Sequence, residues 1–234
     1  MSKLNKHALI LGSLLLVFSL LFLTGGSLTR AAEINNPKVI ITPINYKATD
    51  QVVTLLNKTN EEVELSGFRI RDGEGNVFRF SGKGTETVKL SPFGVLRIHS
   101  GPEAQKNYDG KIDFFWTDKA IWDREKTAEL ANQQGKVVYK LTLSEVGEID
   151  QLAGCLTRNK VLLYGMKTCS HCQAQQEKFG SAMEYINYIE YTENRERCSK
   201  VGISTVPTWD FSKQDKRKVG SRSLAELSKL AGCS

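Results

Sequence analysis

The chain has 234 residues, of which 40% are hydrophobic and 25% are charged. This length allows two compact domains that each bury a core, and the composition excludes a wholly disordered protein. The net charge is +6, but the 32 basic residues are dispersed among 26 acidic residues, which argues against a nucleic-acid-binding function.

The first 30 residues have the pattern of an export signal. Lys3 and Lys6 precede an apolar run from Ala8 to Leu23, and small residues follow at 24–27. This order is typical of a secretory signal peptide. The run is longer than most signal cores but shorter than the roughly 20 residues of a comfortable membrane span, so cleavage and retention as a membrane anchor both stay open. In either case we expect the rest of the chain to be extracytoplasmic, as a secreted protein or one anchored to the cell membrane.

From Val39 to Leu143, short runs rich in Val, Ile, Leu and Phe alternate with turn-forming residues. Phe68 and Ile70 alternate with arginines, which is the period of a half-buried strand. Short strands at regular spacing favour an all-β sandwich or barrel. We find no catalytic pattern in this half. His99 has no second His or Cys nearby in the sequence, so we expect a surface or hydrogen-bonded histidine.

Several motifs of this half occur together. They are Leu65-Ser-Gly-Phe68, Arg71-Asp72-Gly73, Phe78-Arg-Phe80, Leu90-Ser-Pro-Phe-Gly94 and Gly135-Lys-Val-Val138. Over residues 35–143 the sequence resembles the lamin-tail domain, which is an immunoglobulin-like sandwich. That family usually has a tryptophan before the last hairpin, and Trp116 or Trp122 fits this place. The resemblance implies an adhesion or targeting module attached to a catalytic partner.

Residues 144–152 are polar, and we place the linker there. The pattern of the second domain, residues 153–234, is different. The apolar spacing predicts an α/β arrangement of layers. The elements are a strand over 160–164, a helix from Cys172 to about Asn187, strands over 188–191 and 206–211, and a closing helix over 223–231 that is capped by Ser223. The predicted fold is therefore multidomain, an all-β half followed by an α/β half.

Two of the five cysteines form the motif Cys169-Ser170-His171-Cys172, between the first strand and the first helix of the α/β half. Free backbone N–H groups and the helix dipole stabilise a thiolate at such a helix start. Cys169 is therefore the candidate nucleophile, and Cys172 the more buried resolving thiol. His171 favours the thiolate, which makes the disulfide more oxidising. A zinc site would need a second Cys or His pair, whereas a static structural disulfide stays open as an alternative.

Further motifs follow the two thiols. They are the run over 161–180, Tyr185-Ile-Asn-Tyr188, Cys198-Ser-Lys-Val-Gly-Ile203 and Thr205-Val206-Pro207-Thr208-Trp209. Together these motifs resemble the thioredoxin-like domain that is fused to, or works beside, vitamin K epoxide reductase homologues. The resemblance covers residues 153–233. It implies a thioredoxin-like fold in which Cys169 attacks, Cys172 resolves, and a cis Pro207 exposes the backbone of Val206 to an incoming peptide. It also implies no metal or other cofactor, thiol-containing client proteins, and a membrane quinone reductase of the vitamin K epoxide reductase type as redox partner.

The sequence departs from that branch at several positions. Ser170 replaces a common proline, which alters the redox potential. Leu163 stands where cytosolic thioredoxins have a buried acid, and this favours an oxidant or isomerase over a reductant. Some members have a cysteine at the place of Tyr191, paired with the one matching Cys198, but here that partner is absent. We therefore expect either Cys198 or Cys155 to form a structural disulfide with Cys233.

The sequence thus predicts an extracytoplasmic thiol–disulfide oxidoreductase, similar to protein disulfide oxidases and isomerases, that exchanges disulfides with client proteins. The alternative is an adhesion or scaffold protein of the cell envelope, in which the sandwich carries the function and the Cys169–Cys172 pair is a static, non-catalytic disulfide. The membrane is a further partner if the N-terminal segment is not cleaved.

Overall fold

The computed structural model describes residues 37–81, 86–211 and 216–233. The predicted signal or anchor segment, residues 1–30, lies outside these ranges. No helix within the described ranges is long and apolar enough to cross a membrane. The described residues form one compact unit, in which the two halves of the chain contact each other directly.

The first half consists of short strands. They are β1 (Val39–Ile41), β2 (Gln51–Asn57), β3 (Val63–Glu64), β4 (Arg69–Arg71), β5 (Val77–Arg79), β6 (Lys89–Leu90), β7 (Val95–Ser100), β8 (Asp113–Thr117), β9 (Thr127–Ala131) and β10 (Val137–Thr142). Two four-stranded sheets, in the orders β1-β2-β7-β8 and β10-β9-β4-β5, are accompanied by the small β3-β6 pair. The pairs are antiparallel except for β7 and β8. The predicted β-rich, immunoglobulin-like half is confirmed.

Buried and exposed side chains alternate along the strands, and the buried ones form the core of this half. Ile70 is fully buried between the half-buried Arg69 and Arg71, as the period of the sequence predicts. The side chain of buried Gln51 binds the backbone N–H and C=O of Trp122 at 2.9 and 2.7 Å, which holds Trp122 in the core. Trp122 is 3% exposed, and Trp116 packs against the same core from its edge.

Asp72 stabilises the turn between β4 and β5. One carboxylate oxygen accepts the N–H groups of Glu74 and Asn76 at 2.9 and 3.0 Å, and the other accepts Lys126 Nζ at 2.9 Å and Asn76 Nδ2 at 2.6 Å. Burial alone would raise the pKa of this carboxyl. The hydrogen bonds from Asn76, Lys126 and the backbone outweigh burial and lower the pKa from its usual 3.8 to about 2.

A helix begins inside the predicted linker. After a short 3₁₀ turn at Leu143–Glu145, α1 spans Glu148–Arg158. The Asp150 carboxylate accepts the backbone N–H of Gly147 at 2.8 Å, which caps the start of α1. The helix also lies against the sandwich, since a Cβ at Gly154 would come within 2.9 Å of the Pro43 ring.

The second half is a mixed sheet with helices. Its elements are β11 (Val161–Gly165), α2 (Ser170–Glu177), a 3₁₀ segment (Gly180–Tyr185), β12 (Tyr188–Glu190), α3 (Arg195–Lys200), β13 (Thr208–Phe211), β14 (Lys216–Val219) and α4 (Leu224–Ala231). The strand order is β12-β11-β13-β14, in which β11 is parallel to β12 and antiparallel to β13. Ser223 caps α4 as predicted, because its hydroxyl accepts the Glu226 N–H at 3.1 Å.

The helix predicted from Cys172 to about Asn187 is interrupted. α2 ends at Glu177, and Gly180 follows with a φ of +54°. A residue in this left-handed conformation cannot continue an α-helix, so residues 180–185 form a 3₁₀ segment instead. Phe179 and Ile186 remain buried on the same side, which explains why their spacing resembled that of one helix.

The two faces of this sheet pack against different partners. Val161 and Leu163 face a core made with α1, α4 and the 3₁₀ segment. Leu162 and Tyr164 face the opposite side, where α3 supplies Cys198 and the sandwich supplies Phe93. Because neighbouring residues of a strand point to opposite faces, β11 contributes to both cores.

Candidate active site

The two thiols of the predicted motif lie together at the start of α2. Cys169 is the N-cap residue, and its Sγ accepts the backbone N–H of Cys172 at 3.3 Å. The Sγ atoms of Cys169 and Cys172 are 2.6 Å apart, and both cysteines are free thiols. Cys169 is half-buried, whereas Cys172 is 1% exposed. The arrangement allows a reagent to reach Cys169 first and allows Cys172 to attack only its neighbour.

Burial and the contact with Cys169 raise the pKa of Cys172 to about 12, although a backbone hydrogen bond from Met166 acts in the opposite direction. At pH 7 a thiol with this pKa is ionised to a fraction on the order of 10⁻⁵. The Cys172 thiol is therefore a poor nucleophile in the dithiol state.

The loop before β13 lies beside Cys169. The peptide bond between Val206 and Pro207 is cis, and Pro207 is buried. The Cys169 thiol donates to the carbonyl oxygen of Val206 at 3.8 Å. The loop is fixed by the Thr208 hydroxyl, which donates to the Thr205 carbonyl at 2.6 Å, and by pairing of Thr208 with Tyr164 on β11. The structure thus brings Val206 and Pro207 next to the thiol that the sequence predicts as nucleophile.

Ser170 and His171 occupy the exposed turn between the thiols. Within the described parts of the chain, neither side chain has a hydrogen bond or ion pair to another residue. The modulating role predicted for this pair stays a prediction, and an effect of His171 would act through its charge.

Gln175 is a buried contact that the sequence did not indicate. Its side-chain oxygen accepts Trp209 Nε1 at 3.3 Å, Ser221 Oγ at 3.2 Å and the Arg222 N–H at 2.6 Å. These bonds connect α2, one turn after Cys172, to β13 and to the segment before α4. They hold the helix that carries the thiols against the sheet.

A buried carboxylate also reaches the site region from β12. Glu190 is 6% exposed and accepts the Tyr188 and Thr192 hydroxyls, each at 2.8 Å, and the backbone N–H of Lys167 at 3.3 Å. Burial would raise the pKa of Glu190, but these hydrogen bonds hold it below its usual value. Lys167 belongs to the loop that connects β11 to Cys169, so Glu190 fixes this loop.

No acid stands at Leu163, yet the negative charge of Glu190 also contributes to the raised pKa of Cys172, after burial and Cys169. The predicted strand over 188–191 contains this acid, but only the structure shows that β12 ends at Glu190 and runs parallel to β11, which places the acid at the sheet edge near the thiols. Gly165 of β11 is the residue that pairs with Glu190 of β12. There is no room for a side chain at Gly165, because a Cβ there would lie 2.6 Å from the Tyr188 ring.

The other cysteines are separated from this pair. Cys155 on α1 forms a disulfide with Cys233, which follows α4, with a Cα–Cα distance of 5.9 Å. Of the two pairings that the sequence left open, the structure therefore has the one with Cys155. Cys198 is a fully buried free thiol on α3, and burial raises its pKa. Within the described ranges, no group of three or more His, Cys, Asp or Glu residues is arranged to hold a metal ion.

Two comparisons with known proteins match parts of this chain. Residues 32–145 match the family model of the Lamin Tail Domain. The chain is also similar to the thiol-disulfide oxidoreductase LTO1 of Arabidopsis thaliana, with 36% identity over 81 residues. This match covers 31% of the chain and 21% of the length of the Arabidopsis protein, so it supports a redox role without extending to that protein as a whole.

Proposed function

We propose that this protein is an extracytoplasmic thiol–disulfide oxidoreductase that oxidises thiols to disulfides, or isomerises disulfides, in client proteins. One observation carries the proposal: the half-buried Cys169 Sγ lies between Cys172 Sγ, at 2.6 Å, and the carbonyl oxygen of Val206, at 3.8 Å. The first contact supplies a dithiol that can close to a disulfide. The second places peptide backbone beside the reactive sulfur, where a client segment would bind.

The order of elements supports a thioredoxin-like fold for the second half. β11 leads into the helix that begins with the thiols, β12 returns parallel to β11, and β13 and β14 follow antiparallel. The Val206–Pro207 loop precedes β13, as the resemblance to thioredoxin-like domains implies. A client peptide in extended form would pair with the Val206 backbone, a common mode of peptide recognition at a sheet edge.

The proposed oxidation begins from a Cys169–Cys172 disulfide. A client thiolate attacks Cys169 Sγ and forms a mixed disulfide, the Cys169–Cys172 bond breaks, and its electron pair passes to Cys172 Sγ, which takes up a proton. A second client thiolate attacks the client sulfur of the mixed disulfide, and Cys169 leaves as a thiolate. The client has then lost two electrons, which the Cys169–Cys172 dithiol holds.

The raised pKa of Cys172 acts on the second step of this sequence, although it also makes Cys172 a slow leaving group in the first. Once protonated, Cys172 does not readily attack the mixed disulfide, so a second client thiol has time to react. Re-oxidation of the dithiol requires an acceptor, and a membrane quinone reductase of the vitamin K epoxide reductase type fits this role. An uncleaved N-terminal segment would hold the protein at the same membrane.

A redox titration of the full chain tests the proposal. We expect a Cys169–Cys172 potential above about −300 mV and loss of client oxidation in Cys169→Ser. Cys172→Ser, offered a client that already contains a disulfide, should accumulate the mixed disulfide, because the Cys169 thiolate attacks that bond, releases the second client sulfur as a thiolate and has no neighbour to resolve it. The matched control is Cys155→Ala/Cys233→Ala, which removes two cysteines away from the proposed site. A potential below about −300 mV with an unreactive Cys169 would contradict the proposal and favour a static disulfide in an adhesion protein.

A further inference from the structure

Phe93 of the sandwich has an unusual conformation. It lies in the turn between β6 and β7 with a φ of +53°, in the left-handed region that costs a residue with a Cβ about 1 kcal/mol. A phenylalanine at the tip of a surface turn would expose its ring to water. Here the residue is only 8% exposed, because its ring is buried against the other half of the chain.

The surroundings of the ring all come from the redox half. Phe93 forms one buried cluster with Tyr164, Ile189, Cys198 and Ile203. These residues come from β11, β12, α3 and the segment after α3, so the ring completes the second face of the sheet. Burial of a phenylalanine side chain in such a cluster stabilises the contact by roughly 1.5–3 kcal/mol, which exceeds the cost of the turn conformation.

Polar contacts fix the ring and its turn. The buried Asn187 Nδ2 donates to the Phe93 carbonyl at 2.8 Å. The Arg197 guanidinium carbon lies 5.1 Å from the centre of the ring, within the range of a cation–π contact. The position of Phe93 is thus set both by packing and by directed bonds.

Further contacts hold the halves together away from Phe93. The ammonium group of Lys58 donates to the Glu184 carbonyl at 2.9 Å, and the Tyr139 hydroxyl donates to the Glu184 carboxylate at 3.0 Å. Pro43 packs against Gly154 of α1. Contacts at several separate places oppose rotation of one half against the other.

The cluster around Phe93 also reaches the candidate active site. Val206 packs its side chain against the cluster, and its carbonyl oxygen is the one 3.8 Å from Cys169 Sγ. Tyr164, another neighbour of the ring, pairs with Thr208 at the end of the Val206–Pro207 loop. The Phe93 ring is thus connected to Cys169 Sγ through this packed cluster and the Val206 carbonyl.

We infer that Phe93 is a positioning residue for the redox site, and that the lamin-tail region is a fixed part of the oxidoreductase. The ring supports the cluster that sets the place of the Val206 carbonyl and hence the groove for the client backbone. This inference rests on the proposed function, since it assigns a role to the sandwich in that same site. A targeting module on a flexible tether would behave differently: removing its contacts with the second half would leave the site unchanged.

The test compares Phe93→Ala with Phe93→Leu in the full chain. Phe78→Ala is the matched control, because Phe78 packs against rings of the sandwich, with centroids 5.0, 6.0 and 5.9 Å from those of Phe80, Phe114 and Trp116. The measurements are the amide chemical shift of Val206 in the reduced protein, the KM and kcat for oxidation of a dithiol client peptide, and the alkylation rate of buried Cys198.

We expect Phe93→Ala to shift the Val206 amide, to raise the client KM about tenfold with a smaller change in kcat, and to speed alkylation of Cys198 by at least about tenfold. Phe93→Leu, which keeps apolar bulk, should restore most of each effect. Phe78→Ala should lower stability without moving the Val206 amide or the KM.

Other outcomes are equally decisive. An unchanged Val206 amide and KM in Phe93→Ala, or equal effects of Phe78→Ala, would overturn the inference. If Phe93→Ala does not fold, the same comparison is made with Phe93→Leu. Its client KM must then lie above that of the parent protein, and an unchanged KM would overturn the inference. If the parent protein exchanges no disulfides, the proposed function fails, while the Val206 amide and Cys198 alkylation still decide whether Phe93 positions the loop.

Discussion

The Cys155–Cys233 disulfide encloses nearly all of the α/β half, so that its removal has a calculable effect. The two cysteines are separated by 78 positions. A cross-link over a loop of this length lowers the chain entropy of the unfolded state by about 15 cal/mol/K, which corresponds to about 4.5 kcal/mol at 25 °C. The variant Cys155→Ala/Cys233→Ala should therefore lose about 4 kcal/mol in its free energy of unfolding.

The native ends of this loop have other bonds that persist in the variant. Asn159 Nδ2 donates to the Ala231 carbonyl at 3.0 Å, and the Ser228 hydroxyl donates to the Cys233 carbonyl, also at 3.0 Å. We therefore expect the folded structure and the chemistry of Cys169 and Cys172 to be retained, with the cost arising mainly in the unfolded state.

Urea unfolding of the full chain without reductant measures this cost, with Cys169 and Cys172 replaced by serine in both proteins. The pH is kept low enough to suppress thiol–disulfide exchange, so that the Cys155–Cys233 bond stays intact in the parent. The slope of the unfolding free energy against urea reports any change in the surface exposed on unfolding. A loss below about 1 kcal/mol at unchanged slope would refute the loop-entropy reasoning. Loss of client oxidation in the folded variant that keeps Cys169 and Cys172 would instead show that the chemistry depends on the Cys155–Cys233 pair.

Three further predictions concern single groups. At pH 8 an alkylating reagent should label Cys169 and spare Cys172, whose thiolate fraction is about 10⁻⁴ at a pKa near 12; equal labelling in mass spectrometry would contradict its burial. Asp72→Asn should cost about 2 kcal/mol at pH 7, because the folded pKa is lowered to about 2. This contribution is complete above the unfolded pKa near 3.8 and is lost as the pH falls through about 2, so the unfolding free energies of parent and variant should converge there. Glu190→Gln should lower the free energy of unfolding in urea by about 2 kcal/mol, because it weakens three hydrogen bonds. It should also lower the pKa of Cys172, and an unchanged Cys172 titration would refute the electrostatic contact between the two groups.

Local patterns in the sequence predicted much of the fold. The alternation around Ile70 identified a half-buried strand, and the turn residues around Asp72 identified where it ends. The cap at Ser223 and the thiols at the start of α2 were also readable, because each depends on residues within one helical turn. The helix after Cys172 was wrong in its length, since the spacing of apolar residues does not report the backbone conformation of Gly180.

The sequence by itself determined that this protein has a β half, an α/β half and a pair of neighbouring cysteines at a helix start, because periodicity, turn chemistry and a short motif act over neighbouring residues. Only the tertiary structure decided that Cys233 pairs with Cys155 rather than Cys198, and that Glu190 reaches the loop before Cys169. It also decided that Phe93, distant in sequence, covers the second face of the redox sheet. Such contacts depend on how two separately patterned surfaces fit when they pack, and no local spacing encodes that fit.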